Sequence, residues 1–249
     1  MSYIKKNLIL FCLAFIGIST IIGVYNWKTK GTFIGNQRKL PIYSVDTKEK
    51  KIAISFDASW GDDRTQEILN TLDKYNAKAT FFVVGAWIDQ YPDMLKKMSE
   101  KGHEIGNHSN KHPIMTTISA GKMLEEIATT DAKIMSITGK ATTLFRCPSG
   151  EYNNLVIDTV ESTNHYCIQW DADSIDWKEE GAEIEYNRII KKTKPGSILL
   201  FHNDAKYTPG NLIKILENFK AQGYEFVTVS DLIYKNNYYI DEAGKQIQK

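Results

Sequence analysis

KIAISFDASWG (Lys51–Gly61) runs through a short apolar stretch, Ile52–Phe56, and stops on a carboxylate, Asp57. A run of that length, rich in isoleucine and phenylalanine and followed by turn-forming residues, reads as a buried strand. The pattern recurs outward from it, at Thr80–Val84, Glu104–Asn107, Leu144–Cys147, Tyr166–Trp170, Ser197–Phe201 and Glu225–Val229. Between these runs, Thr65–Tyr75, Pro92–Lys101, Ala120–Thr138, Asn153–Asn164, Ala182–Thr193 and Asn211–Gln222 place apolar residues three and four apart, as helices do. Gly102 and Gly223 stand where two of them should stop. About seven strand–helix units in alternation predict an α/β fold, a parallel sheet covered by helices. Barrel and open doubly wound sheet are not separated by this pattern. In both, ligands bind at the C-terminal ends of the strands, so reactive side chains belong where apolar runs stop.

They collect there. Asp57 ends the first run, and GNHSNKHP brings His108 and His112 after the third. FRCPSGEYN carries Arg146 at the fourth, WDADSIDW carries Asp171, Asp173, Asp176 and Trp177 after the fifth, and SILLFHND ends on His202. Each has an ordinary reading on its own. An aspartate after a strand often caps a turn, paired histidines in a polar loop are often only solvated, and a histidine behind apolar residues can be a core residue. Five clusters at successive strand exits are harder to explain by stability alone. Amide hydrolysis needs an activated water, a held oxyanion and an acid for the departing amine. Imidazole-held metal acidifies water, a carboxylate removes its proton and a histidine protonates the leaving group. Asp57, His108, His112, Asp173 and His202 supply those groups, the HxxxH pair meeting at one metal if its segment turns helically.

In this order, SFDASWG, HSNKHP, RCPSG, DSIDW and LFH resemble the five motifs of the polysaccharide deacetylases with a NodB homology domain, carbohydrate esterase family 4, over roughly Lys51–Tyr234. The FDA-x-WG form is similar to that of the PdaB-type sporulation deacetylases. The resemblance implies a distorted (β/α) barrel and a hydrolase that removes N-acetyl groups from cell-wall polysaccharide, peptidoglycan above all, in spore formation. It implies Asp57 as general base tethered by Arg146, His108 and His112 as ligands of a divalent metal such as zinc, and the Ser149 N–H as oxyanion donor. It further implies that Asp173 pairs with His202, the general acid, and that Trp177 and Leu200, with Trp60 beside them, line the sugar site.

Ala58 departs from the family pattern. Most members carry a second aspartate there as a metal ligand, and a methyl group coordinates nothing. Asp62 or Asp63 as a substitute, Asp57 as a direct ligand, and a metal-free, glycan-binding protein on the deacetylase fold are the alternatives this leaves, beside a hydrolase of small amides or esters.

The 249 residues, 42% hydrophobic and 24% charged, suffice for one substantial core. A formal charge of +1 gives no basic footprint for nucleic acid. At the N-terminus, Lys5 and Lys6 precede the uncharged run Leu8–Val24, and Tyr25 and Trp27 close it. Without a small-x-small cleavage site after it, residues 1–27 read as an uncleaved, single-pass signal-anchor in the membrane, with a removed signal peptide as the alternative. Residues 28–49 then form a linker or stalk, 50–236 the extracytoplasmic deacetylase domain, and 237–249 a polar tail. Charges on both sides of the run leave its orientation open. Cysteines 12, 147 and 167 form no metal-binding motif, and a Cys147–Cys167 bridge has no support from spacing alone.

Overall fold

A computed structural model describes residues 38–249, and Lys39–Lys249 make one compact unit. The expected N-terminal membrane helix lies outside the described residues. Among the described residues no helix is long and apolar enough to cross a membrane.

The strands, in chain order, are β1 (Ser44–Val45), β2 (Lys51–Ala58), β3 (Thr80–Val83), β4 (Glu104–Asn107), β5 (Leu144–Phe145), β6 (Tyr166–Cys167), β7 (Ala172–Asp173), β8 (Ile198–His202), β9 (Glu225–Val227), β10 (Tyr238–Ile240) and β11 (Lys245–Gln248). Seven of them form an all-parallel path, β6-β5-β4-β3-β2-β8-β7, and β9 pairs with the start of β2. This is the curled, incomplete barrel of an α/β protein: among the described residues no ladder joins β6 to β7. The segment before β1 helps span that gap, since Ile42 N–H donates to Cys167 O and Gln169 N–H to Ile42 O.

Side-chain alternation along β2 separates two layers. Ile52, Ile54, Phe56 and Ala58 pack outward in a cluster that includes Ile68, Leu69 and Leu72 of the helix Thr65–Lys74, and Leu212, Ile215 and Leu216 of the helix Thr208–Ala221. Ser55 and Asp57 face inward. Ala53, Phe82, Ile168 and Ile198 fill a second, inner cluster.

Five of the six expected helices begin within one residue of the sequence reading; the last begins at Thr208 rather than Asn211, and Gly85–Gln90 is a short helix the sequence reading did not include. Pro92 opens Pro92–Glu100 at a position that needs no N–H donor. The Ser119 hydroxyl caps Ala120–Thr138 by accepting from Lys122 N–H, and Gly139 ends it at φ 67°, a left-handed turn that glycine adopts without strain.

Several strand boundaries differ from expectation. The first strand runs on through Asp57 to Ala58, because Ala58 still pairs with Val83. The fourth and fifth stop at Phe145 and Cys167, where the chain turns toward the site. Segments read as stalk and polar tail contribute β1, β10 and β11, a small sheet in the order β1-β11-β10 with Gln246 fully buried.

Candidate active site

Parallel register builds the site. Asp57 on β2 is level with His202 on β8, so both side chains leave the same face at the same height. On the other side, Val83 is level with Asn107, and His108 and Arg146 follow directly on β4 and β5. The sequence-predicted Asp57, Trp60, His108, His112, Ser149, Asp173, Trp177, Leu200 and His202 all line one cleft of about 490 Å³. Ser59, Gly150 and Trp170 line it too, and were not picked out beforehand. Trp170 donates its Nε1–H to Asp173 Oδ2 at 3.0 Å, a contact that only the folded turn reveals.

Arg146 lies behind the cleft, completely buried. Its Nη1 donates to Asp57 Oδ1 at 2.7 Å, and Nη2 donates to Ser55 Oγ at 2.8 Å and Gln169 O at 3.2 Å. The guanidinium lies 4.0 Å from the Phe82 ring centre, a cation–π contact in a site without bulk water. Burial pushes the Asp57 carboxyl toward the neutral form. The Arg146 charge, with that of His202 and the Arg146 hydrogen bond, outweighs it, and the pKa falls below the usual aspartate value. Asp57 is therefore an ionised carboxylate held at fixed orientation.

The HSNKHP segment is a tight loop rather than a helix, with Ser109 at φ 66° and His112 at φ 56°. Asn107 Oδ1 accepts from Ser109 N–H, and the buried Glu126 carboxylate accepts from both Asn110 and Lys111 N–H. These bonds bring the two imidazoles to a centroid distance of 4.9 Å, the proximity expected of the pair without the helix expected to cause it. His108 Nδ1 lies 2.8 Å from Arg146 O, and a carbonyl only accepts, so the proton sits on Nδ1. Burial lowers the His108 pKa to about 4, against the pull of Asp57, and it lowers His112 as well. Neutral His108 then presents a bare Nε2 lone pair 3.4 Å from Asp57 Oδ2. Two acceptors face each other there, a place suited to a proton or a cation.

His202 pairs with Asp176, correcting the expected Asp173–His202 pair. Asp176 Oδ1 is 2.6 Å from His202 Nδ1, and Oδ2 accepts from His202 N–H and Thr208 Oγ1–H. Ile175, left-handed at φ 55°, turns the chain so that Asp176 is fully buried. Asp173 instead accepts from Trp170 and from Ile175 N–H on the cleft wall. Burial works against a charged His202, but the Asp176 hydrogen bond and the charges of Asp176, Asp57 and Asp173 together raise its pKa above 6.5. Asp176→Asn removes the nearest charge and leaves burial dominant, so the imidazolium should titrate at lower pH. Following the His202 ring signals by NMR through a pH titration checks this; an unmoved midpoint contradicts it.

The metal implied by the family fits only in part. His108 and His112 supply two nitrogens, but among the described residues no group of three or more His, Cys, Asp or Glu side chains is arranged to hold an ion. Asp62 lines a different depression, with Gln90, Tyr91 and Pro92, and Asp63 is exposed. Ala58 is fully buried in the outer apolar cluster with Phe56, Val83 and Trp87, and it is Ser59 that faces the cleft. The donor set for the metal is incomplete.

The polysaccharide deacetylase family profile matches residues 44–168. The chain belongs to the polysaccharide deacetylase family. Its relatives include peptidoglycan-N-acetylmuramic acid deacetylase PdaA of Bacillus subtilis (strain 168), 32% identical over 197 residues, 78% of this chain and 75% of that one. Another is the peptidoglycan-N-acetylglucosamine deacetylase of Bacillus cereus, 36% identical over 200 residues, covering 78% and 93%. Among solved structures, a carbohydrate esterase family 4 pseudoenzyme from Bacillus anthracis superposes with a TM-score of 0.75 at 30% identity, covering 77% of this deacetylase-family chain and 68% of that one.

Proposed function

We propose that this chain hydrolyses N-acetyl groups on cell-wall glycan, peptidoglycan in the first instance. The observation that carries the reading is the opposition of an ionised Asp57, clamped by Arg146, and a His202 whose protonated form Asp176 favours, at one level of a cleft walled by tryptophans. Asp57 takes a proton from water, and the resulting hydroxide adds to the acetamide carbonyl. The Ser149 N–H, in a turn held left-handed at φ 56° on the cleft wall, donates to the oxyanion. His202 then gives its proton to the departing amine, acetate leaves, and Asp176 steadies the imidazole throughout. Trp60 and Trp177, both exposed, give the sugar two apolar faces, and Leu200 forms the floor. The test is acetate release from N-acetylated glycan by the protein, with and without divalent metal.

A second reading has its own support. The buried methyl of Ala58 and the incomplete donor set favour a glycan-binding protein of low activity, as does the likeness to a pseudoenzyme. Under the first reading, His108 and His112 hold a divalent ion such as zinc weakly. Ser59 lines the cleft that holds both imidazoles and its buried hydroxyl has no partner, so Ser59→Asp adds a carboxylate to that cleft and should tighten zinc binding at least tenfold by calorimetry, about 1.4 kcal/mol. Ala58→Asp should instead place a carboxyl in apolar packing and destabilise by about 1–3 kcal/mol, without rescue by zinc. Tighter zinc binding by Ala58→Asp and none by Ser59→Asp would reverse this assignment.

An N-terminal membrane anchor, an extracytoplasmic domain and a role in spore formation complete the proposal. They are supported by the uncharged run Leu8–Val24 and the FDA-x-WG motif. The full chain should sediment with membranes after a high-salt wash; recovery of a soluble species beginning after residue 20 contradicts the anchor.

A further inference from the structure

Cys147 and Cys167 sit on adjacent strand exits, where Phe145 is level with Cys167 in the β5–β6 pair. Their sulfurs are 3.7 Å apart, and both thiols are free. The surroundings are apolar: Met115, Met123, Ile127 and Val160 pack around them. Neither thiol serves the chemistry above. Their neighbours do, for Cys147 lies between Arg146, which clamps Asp57, and the Pro148–Gly150 turn, which carries Ser149.

We propose that Cys147 and Cys167 are a dithiol site that closes into a disulfide by exchange with a disulfide oxidant, stapling the turn that carries Arg146 and Ser149 to β6. The strand pairing already supplies the approach, so closure asks the sulfurs to move less than 2 Å to reach a bond of about 2.05 Å. Access is one-sided. Cys147 is fully buried, whereas Cys167 retains 5% exposure and lines a surface pocket of about 330 Å³ with Ile42, Ile157 and Tyr166. Cys167 sulfur therefore attacks first, forming a mixed disulfide as one thiolate of the oxidant leaves and takes up a proton. Cys147 sulfur then attacks Cys167 sulfur, breaking the mixed disulfide and expelling the second half of the oxidant as a thiolate that takes up a proton: the chain loses two electrons and two protons in all, and the oxidant becomes two thiols. The hydrogen bond with Cys147, together with burial, raises the Cys167 pKa well above its ordinary value, so exchange in the folded protein is slow. Closure links residues 20 apart, and a loop of that length should raise the melting temperature by roughly 5–10 °C.

The experiment uses the full chain carrying Cys12→Ser, which removes the remaining cysteine. The protein is equilibrated with oxidised glutathione, or unfolded and refolded in it, then denatured and alkylated. Mass spectrometry should find no free thiol and a Cys147–Cys167 peptide, and melting should rise by the stated amount and return with dithiothreitol. A Cys147→Ala/Cys167→Ala variant should show no response to either reagent; the peptide map stands without that variant should it fail to fold. Two free thiols after refolding in oxidant, a glutathione adduct on Cys167 without bridging, or a bridged protein that melts with the reduced one would each overturn the proposal.

Discussion

Replacing His202 with alanine should lower acetate release by about two to four powers of ten, the usual contribution of a positioned general acid. The reason is local. Among the described residues no other histidine of the cleft favours the protonated form, because burial lowers the pKa of both His108 and His112. Stability should fall far less. Asp176 loses the ring contact but keeps its bonds from His202 N–H and Thr208 Oγ1–H, at a cost of about 1–3 kcal/mol. In the parent, the raised His202 pKa contributes stability that is full below pH 6.5 and is lost as pH rises through the folded value. The alkaline limb of the rate profile should accordingly lie above pH 6.5. Full activity in His202→Ala would remove this residue from the reaction; a collapse in melting temperature would make it a core residue first.

Arg146→Met should be the most destabilising single substitution in the site, by about 3–5 kcal/mol, the cost of breaking one side of a buried ion pair. The Asp57 side chain is only 7% exposed, and it would keep the neighbouring imidazoles but lose the one permanent charge against it. Its pKa should rise, because burial then acts with less opposition. The sign of the pH dependence follows. In the parent, the lowered Asp57 pKa gives stability that is present above about pH 3.8 and lost as pH falls through the folded value. The variant should lack most of that acid-limb loss. Denaturant melts of both proteins at neutral and acid pH measure it, and a difference within 1 kcal/mol at neutral pH would contradict the clamp.

Strand exits were legible because buried parallel strands are continuous apolar runs, so an Asp57, an Arg146 or a His202 at their ends stands out against its neighbours. That is why the cleft assembled from residues chosen one by one. What sequence spacing did not carry was direction. WDADSIDW offers three aspartates within six residues, and the left-handed Ile175 decides that Asp176, not Asp173, reaches His202. Asp171 holds the start of β8 through Ile198 N–H and the Ser197 hydroxyl. Likewise Ala58 shares a motif with Asp57 yet faces the opposite layer, since the strand continues through both. The terminal strands β10 and β11 were hidden by polar composition: their exposed faces read as tail, while in the fold β11 pairs with β1 and β10, and the buried Gln246 amide bonds the Tyr234 backbone.

Acetate release from N-acetylated peptidoglycan by the full chain, run beside Asp57→Asn and across a series of divalent metals, tests the central claim most directly. The parent should liberate acetate in proportion to enzyme and time, and Asp57→Asn, nearly the same in shape but unable to accept the proton, should reduce it to background. Absence of acetate from the parent under every metal condition, with the glycan still bound, would contradict the hydrolase and establish the binding protein in its place.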